Sequence, residues 1–552
     1  MFDRHLKVWP KGVPLHIHFP HHTVCQNLVL SAAKYPDKPA IHYHGRTITY
    51  AELIAQVDAL AGYLQHRLSV KKGDRVLLYM QNSPQAVISF YAILRADAAV
   101  IPVNPMSQRA ELQHYAQDAG ATLMLTGQEL LANAEPLISD GALSAVLVAN
   151  YKELADPTYD IPVPDPVAHL DPDQIGGPKV TPWSQAIAAG ETPAPAQATS
   201  QDLAVIPYSS GTTGAPKGCA HTHFSLQAVC TGGLTWNPMF PDDVSLSVLP
   251  FFHVTGMQTA MNMPIASGGA MVIMTRWNRK TAAELIKRYR VTRWRSIATM
   301  AIDLVNDDRF DDYDLSSLRA IGGGGAAMPE AIAKKLKDMT GLDYIEGYGM
   351  SETMGATHTN PVRTPKRQCL GIPMFDVDSR VIEPSTGTEL GPNETGEIIM
   401  AGPQIFLGYW NNPTATTEVF LLRDGKKFLR TGDLGYYDED GYFFMVDRVK
   451  RMINAAGFKV WPAEVEAMML KHPNIAEACV ISTTDPRRGE SVKAVIVPRG
   501  EVSTEDITTW CRSEMAAYKC PRVIEFVDAL PKSGSGKVLW RELQDKETTP
   551  QT

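Results

Sequence analysis

The chain reads as an α/β protein on three observations. Short apolar runs alternate with amphipathic helical stretches over most of its length. A region of short strands between Gly, Asn and Asp turns follows at about 372–446. A final stretch of roughly 100 residues mixes helices and strands. The expected architecture is a large N-terminal α/β region, with parallel sheets and an antiparallel sheet or small antiparallel barrel, followed by a small α+β unit at the C-terminus.

The elements follow in order. Residues 76–80 read as a strand, 85–95 as a helix, 99–103 as a strand, 112–119 as a helix and 122–125 as a strand, the alternation expected of parallel α/β layers. The run 86–103 is the most membrane-like in the chain, but Arg95 and Asp97 interrupt it, so a buried helix followed by a strand is expected rather than a span. Residues 155–200 are rich in Pro, Asp, Ala and Gly and read as a long surface excursion or interdomain loop. Regular structure resumes with a strand at 203–206. In the next region, 377–382, 396–401, 428–431 and 441–446 read as antiparallel strands. Beyond Lys450 come a helix at 463–470, strands at 476–482 and 491–498, a helix at 504–515 and a strand near 523–527. No internal repeat is visible.

Composition narrows the function classes. The chain has 552 residues, 44% of them hydrophobic and 20% charged, as in a globular enzyme, and several compact units, or two large ones, are expected at that length. A net charge of −8 argues against a general nucleic-acid binder. The seven cysteines form no Cys-x-x-Cys pair, which suggests free thiols in a reducing compartment. Charges and prolines interrupt the first twenty residues, and the chain ends Pro-Gln-Thr, so neither a secretory signal nor a peroxisomal tripeptide is read and a cytoplasmic location is expected. His16, His18, His21 and His22 crowd one segment without a carboxylate or thiol at ligand spacing. A surface strand is expected there rather than a metal site.

The most informative segment is Tyr208-Ser-Ser-Gly-Thr-Thr-Gly-Ala-Pro-Lys-Gly218. Its hydroxyls (Ser209, Ser210, Thr212, Thr213), its glycines (Gly211, Gly214) and Lys217 suit an oligophosphate, since glycines let backbone N–H groups approach an anion closely. It is not a Walker A loop, because Pro216 precedes Lys217 and Gly218 follows it. Gly534-Ser-Gly-Lys537 fails the same pattern. Gly322-x-Gly324-x-x-Ala327 mimics a dinucleotide fingerprint only weakly.

Four later segments add to this loop: Ile345-Glu-Gly-Tyr-Gly-Met-Ser-Glu-Thr353, Phe428-Leu-Arg-Thr-Gly-Asp-Leu434, Asp447-Arg-Val-Lys450 with Gly457 to Glu466, and Pro531 to Lys537. In this order and at these separations the chain resembles the adenylate-forming superfamily of acyl- and aryl-CoA ligases, most like bacterial medium- or long-chain fatty-acid–CoA ligases. Weaker family segments include Pro250-Phe-Phe-His253, 314–325 and 402–420, so the resemblance covers nearly the whole chain.

That resemblance implies an N-terminal adenylation domain at 1–449 and a mobile C-terminal lid at 450–552, hinged near Lys450. It also implies two half-reactions. A carboxylate first attacks the α-phosphate of ATP with Mg²⁺, giving an acyl-adenylate and pyrophosphate; CoA thiol then takes the acyl group and AMP leaves. The resemblance assigns Ser209, Ser210, Gly211, Thr212, Thr213, Gly214 and Lys217 to the phosphates. Gly325, Ala326, Ala327, Glu346, Gly347, Tyr348 and Gly349 fall to the nucleotide, with the Tyr348 ring on adenine. Ser351 stands where relatives usually carry a Thr that touches phosphate. Glu352 would hold Mg²⁺, Asp433 the ribose hydroxyls, and Arg448 a ribose or phosphate oxygen. Lys537 would bridge the attacking carboxylate and the α-phosphate. His253, Gly323, Gly324, Met350 and Met354 would border the acyl pocket, where no charged residue of these motifs meets a second substrate charge. Lys450 and Gly457 would serve the hinge and the CoA path. Lys459 departs from the Asn, Gln or Arg common in relatives.

The expected partners are a small carboxylic acid, ATP and CoA, in a chain that could form a homodimer. A medium- or long-chain fatty acid is the expected acid. An aryl acid of the benzoate or cinnamate type, and an enzyme that loads a carrier protein, are the alternatives.

Overall fold

The computed structural model describes residues 2–168, 171, 175–177, 179–209, 216–325, 328–448, 451–455, 458–485, 489–532 and 538–548. By compactness the chain divides into two units: Asp3–Asp378 with Ala401–Leu429, and Ser379–Met400 with Arg430–Thr552.

The first unit is built on two sheets. One runs, in spatial order, Ile372–Pro373, Gly355–Thr359, Tyr344–Met350, Ala320–Gly324, Arg293–Ser296, Val244–Ser247, Ala270–Ile273, Pro39–Tyr43 and Arg46–Thr49. Its centre is parallel and its rims antiparallel. The other runs Gly408–Tyr409, Lys217–Thr222, Leu203–Val205, Ala99–Pro102, Arg75–Tyr79, Leu123–Gly127, Ala145–Ala149 and Val180–Pro182, with Tyr208–Ser209 paired to Lys217–Thr222. From Leu203–Val205 to Val180–Pro182 its neighbours are parallel. The α/β reading of the sequence is confirmed.

The membrane-like run is a helix, Pro84–Arg95, followed by the strand Ala99–Pro102. Ser83 caps the helix by accepting the Ala86 N–H, and Pro84 occupies the first turn, where its missing N–H costs nothing. Val87, Ile88, Phe90 and Ile93 are essentially fully buried, each contributing about 1.5–3 kcal/mol of apolar burial. Among the described residues no helix is long and apolar enough to cross a membrane.

Two expectations are corrected. The 155–200 region is not simply a surface excursion. Its strand Val180–Pro182 extends the second sheet, and the helix Trp183–Ala188 buries Trp183, whose Nε1 donates to Ser89 Oγ at 3.2 Å. Short spacing between prolines hid a strand of three residues and one anchoring aromatic. The histidine segment is loop rather than strand: His16 pairs with Asp376 at 2.6 Å, and His21 stacks on Phe224.

In the second unit the strands Ile475–Asp485 and Gly489–Pro498 pair antiparallel, Ile453–Ala455 joins the latter, and Val523–Phe526 lies parallel to it. Helices Pro462–Met469 and Thr504–Glu514 bury Val465, Met469, Ile507 and Cys511 against Val480, Ala494 and Ile496. All seven cysteines are free and buried, in line with the expectation of free thiols.

Candidate active site

The phosphate-loop candidate hangs from a hairpin. Tyr208–Ser209 pairs antiparallel with the strand that begins at Lys217, in register Ser209 opposite Lys217 and Tyr208 opposite Gly218. Ser210, Gly211, Thr212, Thr213 and Gly214 lie outside the described residues. The base of the hairpin is anchored firmly. The Tyr208 phenol donates to Asp118 Oδ2 at 2.6 Å, the His114 ring bonds the Pro216 carbonyl at 2.8 Å, and the Trp410 backbone N–H donates to the Gly218 carbonyl at 2.7 Å. Burial, with Asp118 beside it, holds the Tyr208 phenol well above its ordinary pKa. Ser209 and Lys217 are part-buried.

The same strand holds the turn that carries Glu352. Cys219 pairs with Tyr409, and the Tyr409 phenol donates to Glu352 Oε1 at 2.8 Å. The Phe406 N–H donates to the Glu352 carbonyl at 2.9 Å, and His221 Nε2 donates to the Ser351 carbonyl at 2.7 Å. Burial drives the His221 pKa down to about 4, so the ring is neutral at physiological pH. The Lys217 ammonium sits 5.1 Å from the Tyr409 ring centroid. Glu352 is 6% exposed. The short helix Ser351–Thr353 ends in Met354 at φ 57°, in the left-handed region, with its side chain fully buried. Met354 therefore packs into the core behind the site, whereas Met350 is only part-buried.

A carboxylate so placed fits magnesium. That ion keeps several waters and takes one or two carboxylates beside substrate phosphates rather than a full protein cage. Among the described residues no three His, Cys, Asp or Glu converge into such a cage.

Tyr344–Met350 forms the adjoining strand. Tyr348 is part-exposed and lies opposite His358 across an antiparallel pair, with the two rings tilted at 5.7 Å. A Cβ on Gly349 would lie 1.9 Å from the Gly355 carbonyl, so no other residue fits that bulge. Gly347 is less tightly confined: a Cβ there would lie 3.0 Å from the His358 carbonyl. The Glu346 carboxylate accepts the N–H groups of Met328 and Gln368, both at 2.9 Å, so its side chain organises the scaffold around the strand. Burial holds its pKa above the usual carboxylate range. Gly322, Gly323 and Gly324 belong to a strand and not to a dinucleotide-type turn; Gly325 follows exposed at φ 85°. Ala326 and Ala327 lie outside the described residues. His253 is exposed and accepts the Thr255 N–H at 3.3 Å at the start of a short helical turn.

In the second unit, Asp433 is 1% exposed and pairs in register with Arg448. Its N–H donates to Thr431 Oγ1 at 3.0 Å, and that hydroxyl donates to the Ile398 carbonyl. Lys450, Gly457 and Lys537, like the side chains of Arg448 and Lys459, lie outside the described residues.

Sequence reasoning missed three residues that hold this site: Asp118, His221 and Tyr409. Tyr409 stands in the 402–420 segment already singled out, and the run Gly408-Tyr-Trp410 next to a Gly-rich motif was its signal. Asp118 and His221 carry no local signal.

Comparison with known proteins identifies the architecture. The family described as AMP-binding enzyme matches residues 28–410, and that described as AMP-binding enzyme C-terminal domain matches 464–537. A long-chain-fatty-acid–CoA ligase of Bacillus subtilis (strain 168) is 33% identical over 554 residues, covering 98% of each chain. A 4-coumarate-CoA ligase of Narcissus pseudonarcissus is 32% identical over 545 residues, covering 96% of this chain and 93% of the relative. The crystal structure of ATP-bound MatB from Rhodopseudomonas palustris superposes with a TM-score of 0.82 at 27% identity, covering 96% of this chain and 99% of that one.

Proposed function

We propose, for a chain that belongs to the AMP-binding enzyme family and is an AMP-forming acid–CoA ligase, that its acid is an aliphatic medium- or long-chain carboxylic acid. The observation that carries this reading is the full-length likeness to fatty-acid–CoA ligases. The likeness to a coumarate ligase favours an aryl acid as the second reading.

Most of the catalytic work is charge neutralisation and alignment, because a carboxylate must approach a polyanionic phosphate. In this proposal the hairpin loop 209–217 holds the β- and γ-phosphates through hydroxyls, backbone N–H groups and the Lys217 cation. Tyr348 and the backbones of 325–327 and 346–349 hold the nucleotide, and Asp433 and Arg448 its ribose. Glu352 would hold Mg²⁺, which supplies charge neutralisation at the phosphates when bound. The Ser351 hydroxyl reaches a phosphate oxygen, and Lys537 aligns the acid carboxylate with the α-phosphate. His253, Gly323, Gly324 and Met350 border the acid. Lys450 is the hinge residue, in a domain division at 449/450, and Gly457 lines the CoA path. Hinges absorb dihedral change at a few residues.

A panel of aliphatic and aryl acids with ATP, Mg²⁺ and CoA, following pyrophosphate and AMP, tests this. Turnover restricted to aryl acids would select the second reading. Pyrophosphate exchange without CoA-dependent AMP release would point to a carrier protein as acceptor.

A further inference from the structure

One cation on the sheet face beside the glycine strand has no counter-charge. Arg295 lies on the strand Arg293–Ser296, in register with Gly322, between the neighbouring strands Val244–Ser247 and Ala320–Gly324. Side chains alternate across a strand. Trp294 and its register partners Leu246 and Ile321 enter the core on one face. Arg295 therefore points to the opposite face, along with Ser247 and the bare positions Gly322 and Gly324. That face is covered by the π-helical turn Met257–Asn262, whose Ala260 carbonyl accepts the Ser247 hydroxyl at 2.7 Å.

The surroundings give the guanidinium room but no partner. A Cβ on Gly322 would lie 2.6 Å from Arg295 Nη1, so the missing side chain there is what accommodates the guanidinium. Among the described residues Arg295 makes no hydrogen bond and no ion pair. The carboxylates on the flanking strands are committed elsewhere: Asp243, next to Val244–Ser247, to Arg293 at 3.0 Å, and Glu346, on Tyr344–Met350, to the Met328 and Gln368 N–H groups. The nearby Tyr344 phenol is held at Ser296. Burial, and then the like charge of Arg293, push the Arg295 pKa down to about 10, which still leaves it charged at neutral pH. The side chain is only part-covered where it lies beside Gly322. A buried cation left without an anion is costly, and a plain alkyl chain laid beside it would remove what hydration it keeps.

We propose that Arg295 is a specificity-determining residue that binds a second carboxylate on the acid substrate, so that the enzyme favours aliphatic dicarboxylic acids over plain fatty acids of the same length. A guanidinium offers a planar fork of donors that matches a carboxylate in bidentate fashion. Its strand position is two residues short of Gly324, about 7 Å along the strand. The second carboxylate is thus separated from the reacting one by several methylenes. This inference rests on the ligase reading and on Gly323 and Gly324 bordering the acid.

The test compares adipate with hexanoate, and suberate with octanoate, as kcat/KM for CoA-dependent AMP release. The enzymes are the full chain and its Arg295→Leu, Arg295→Gln and Arg295→Lys variants. The native enzyme is expected to favour the diacid in at least one pair by tenfold or more. Arg295→Leu should lower that diacid-to-monoacid ratio by about 10- to 100-fold, the range of a charge-assisted hydrogen bond, mainly through KM for the diacid. Arg295→Lys should retain part of the preference. Arg295→Gln, shorter but neutral and polar, stands in if the Leu variant fails to fold. A native preference for the monoacid in both pairs, or a ratio that the neutral variants leave unchanged, overturns the proposal while leaving the ligase reading intact. No pyrophosphate exchange with any acid would overturn the ligase reading and this proposal with it.

Discussion

Removing the Tyr409 hydroxyl tests how the fold holds Glu352, the carboxylate proposed to bind Mg²⁺. Tyr409→Phe deletes one donor to Glu352 Oε1 at 2.8 Å but keeps the ring that packs edge-on against Phe406 and lies near the Lys217 ammonium. Hydrogen bonds to charged groups contribute about 1.5–3 kcal/mol, and Glu352 is almost wholly buried, so the upper half of that range applies. Unfolding entropy of about 2.1 cal/mol/K per residue over a unit of roughly 400 residues converts this to a Tm loss of roughly 2–4 °C. Stability alone would not distinguish a positioning role. A carboxylate oxygen has two lone pairs, so Tyr409 can orient Glu352 while that group serves a metal. Losing such an outer partner typically weakens metal affinity by about 10–100-fold. The assay is acid-dependent ATP–pyrophosphate exchange titrated with Mg²⁺, alongside thermal unfolding without Mg²⁺ or ATP. The half-saturating Mg²⁺ concentration should rise at least tenfold. If it stays put or falls while Tm drops, Tyr409 merely packs, or competes with the metal, and the positioning argument is wrong.

Two other predictions concern the reaction and its pH response. Lys537→Ala should abolish adenylate formation, read by pyrophosphate exchange, while sparing thioester formation from preformed acyl-adenylate; parallel loss of both steps would remove Lys537 from the first. Glu129 sits beyond the strand Leu123–Gly127, where the chain order of the second sheet switches direction around Arg75–Tyr79. It accepts the Tyr151 phenol at 3.1 Å, and burial, only partly offset by that bond and by Arg276, raises its pKa to about 7. A carboxyl whose folded pKa exceeds its unfolded one favours the folded state at low pH and withdraws that contribution as pH rises from about 4.5 through 7. Glu129→Gln should therefore raise Tm relative to the native chain more at pH 8 than at pH 5, and an equal shift at both would show that Glu129 is already ionised.

Much of the architecture was legible because it is written in local periodicity. The helix Pro84–Arg95 announces itself by a capping Ser, an N-terminal Pro and an apolar pattern, and the strands beside it by short apolar runs. The order of the five motifs was enough to place the chain among adenylate-forming enzymes, since Gly, hydroxyl and Lys spacing is itself the chemistry of phosphate contact. The three-residue strand Val180–Pro182 was not legible, because its partner lies far upstream and supplies the hydrogen bonds that make it a strand.

The candidate site divides the same way. The sequence by itself determined the fold class and the reaction class, and it named the residues proposed for ATP, because those readings depend on residue types at fixed spacing. Only the tertiary structure decided that Tyr409 and His221 steady the Glu352 turn, that the Glu346 carboxylate serves the scaffold, and that Met354 is core. It also set an uncompensated Arg295 beside glycines that offer it no partner. These contacts join residues 18 to 130 positions apart, and whether a charge is paired depends on what the fold brings within a few ångströms of it.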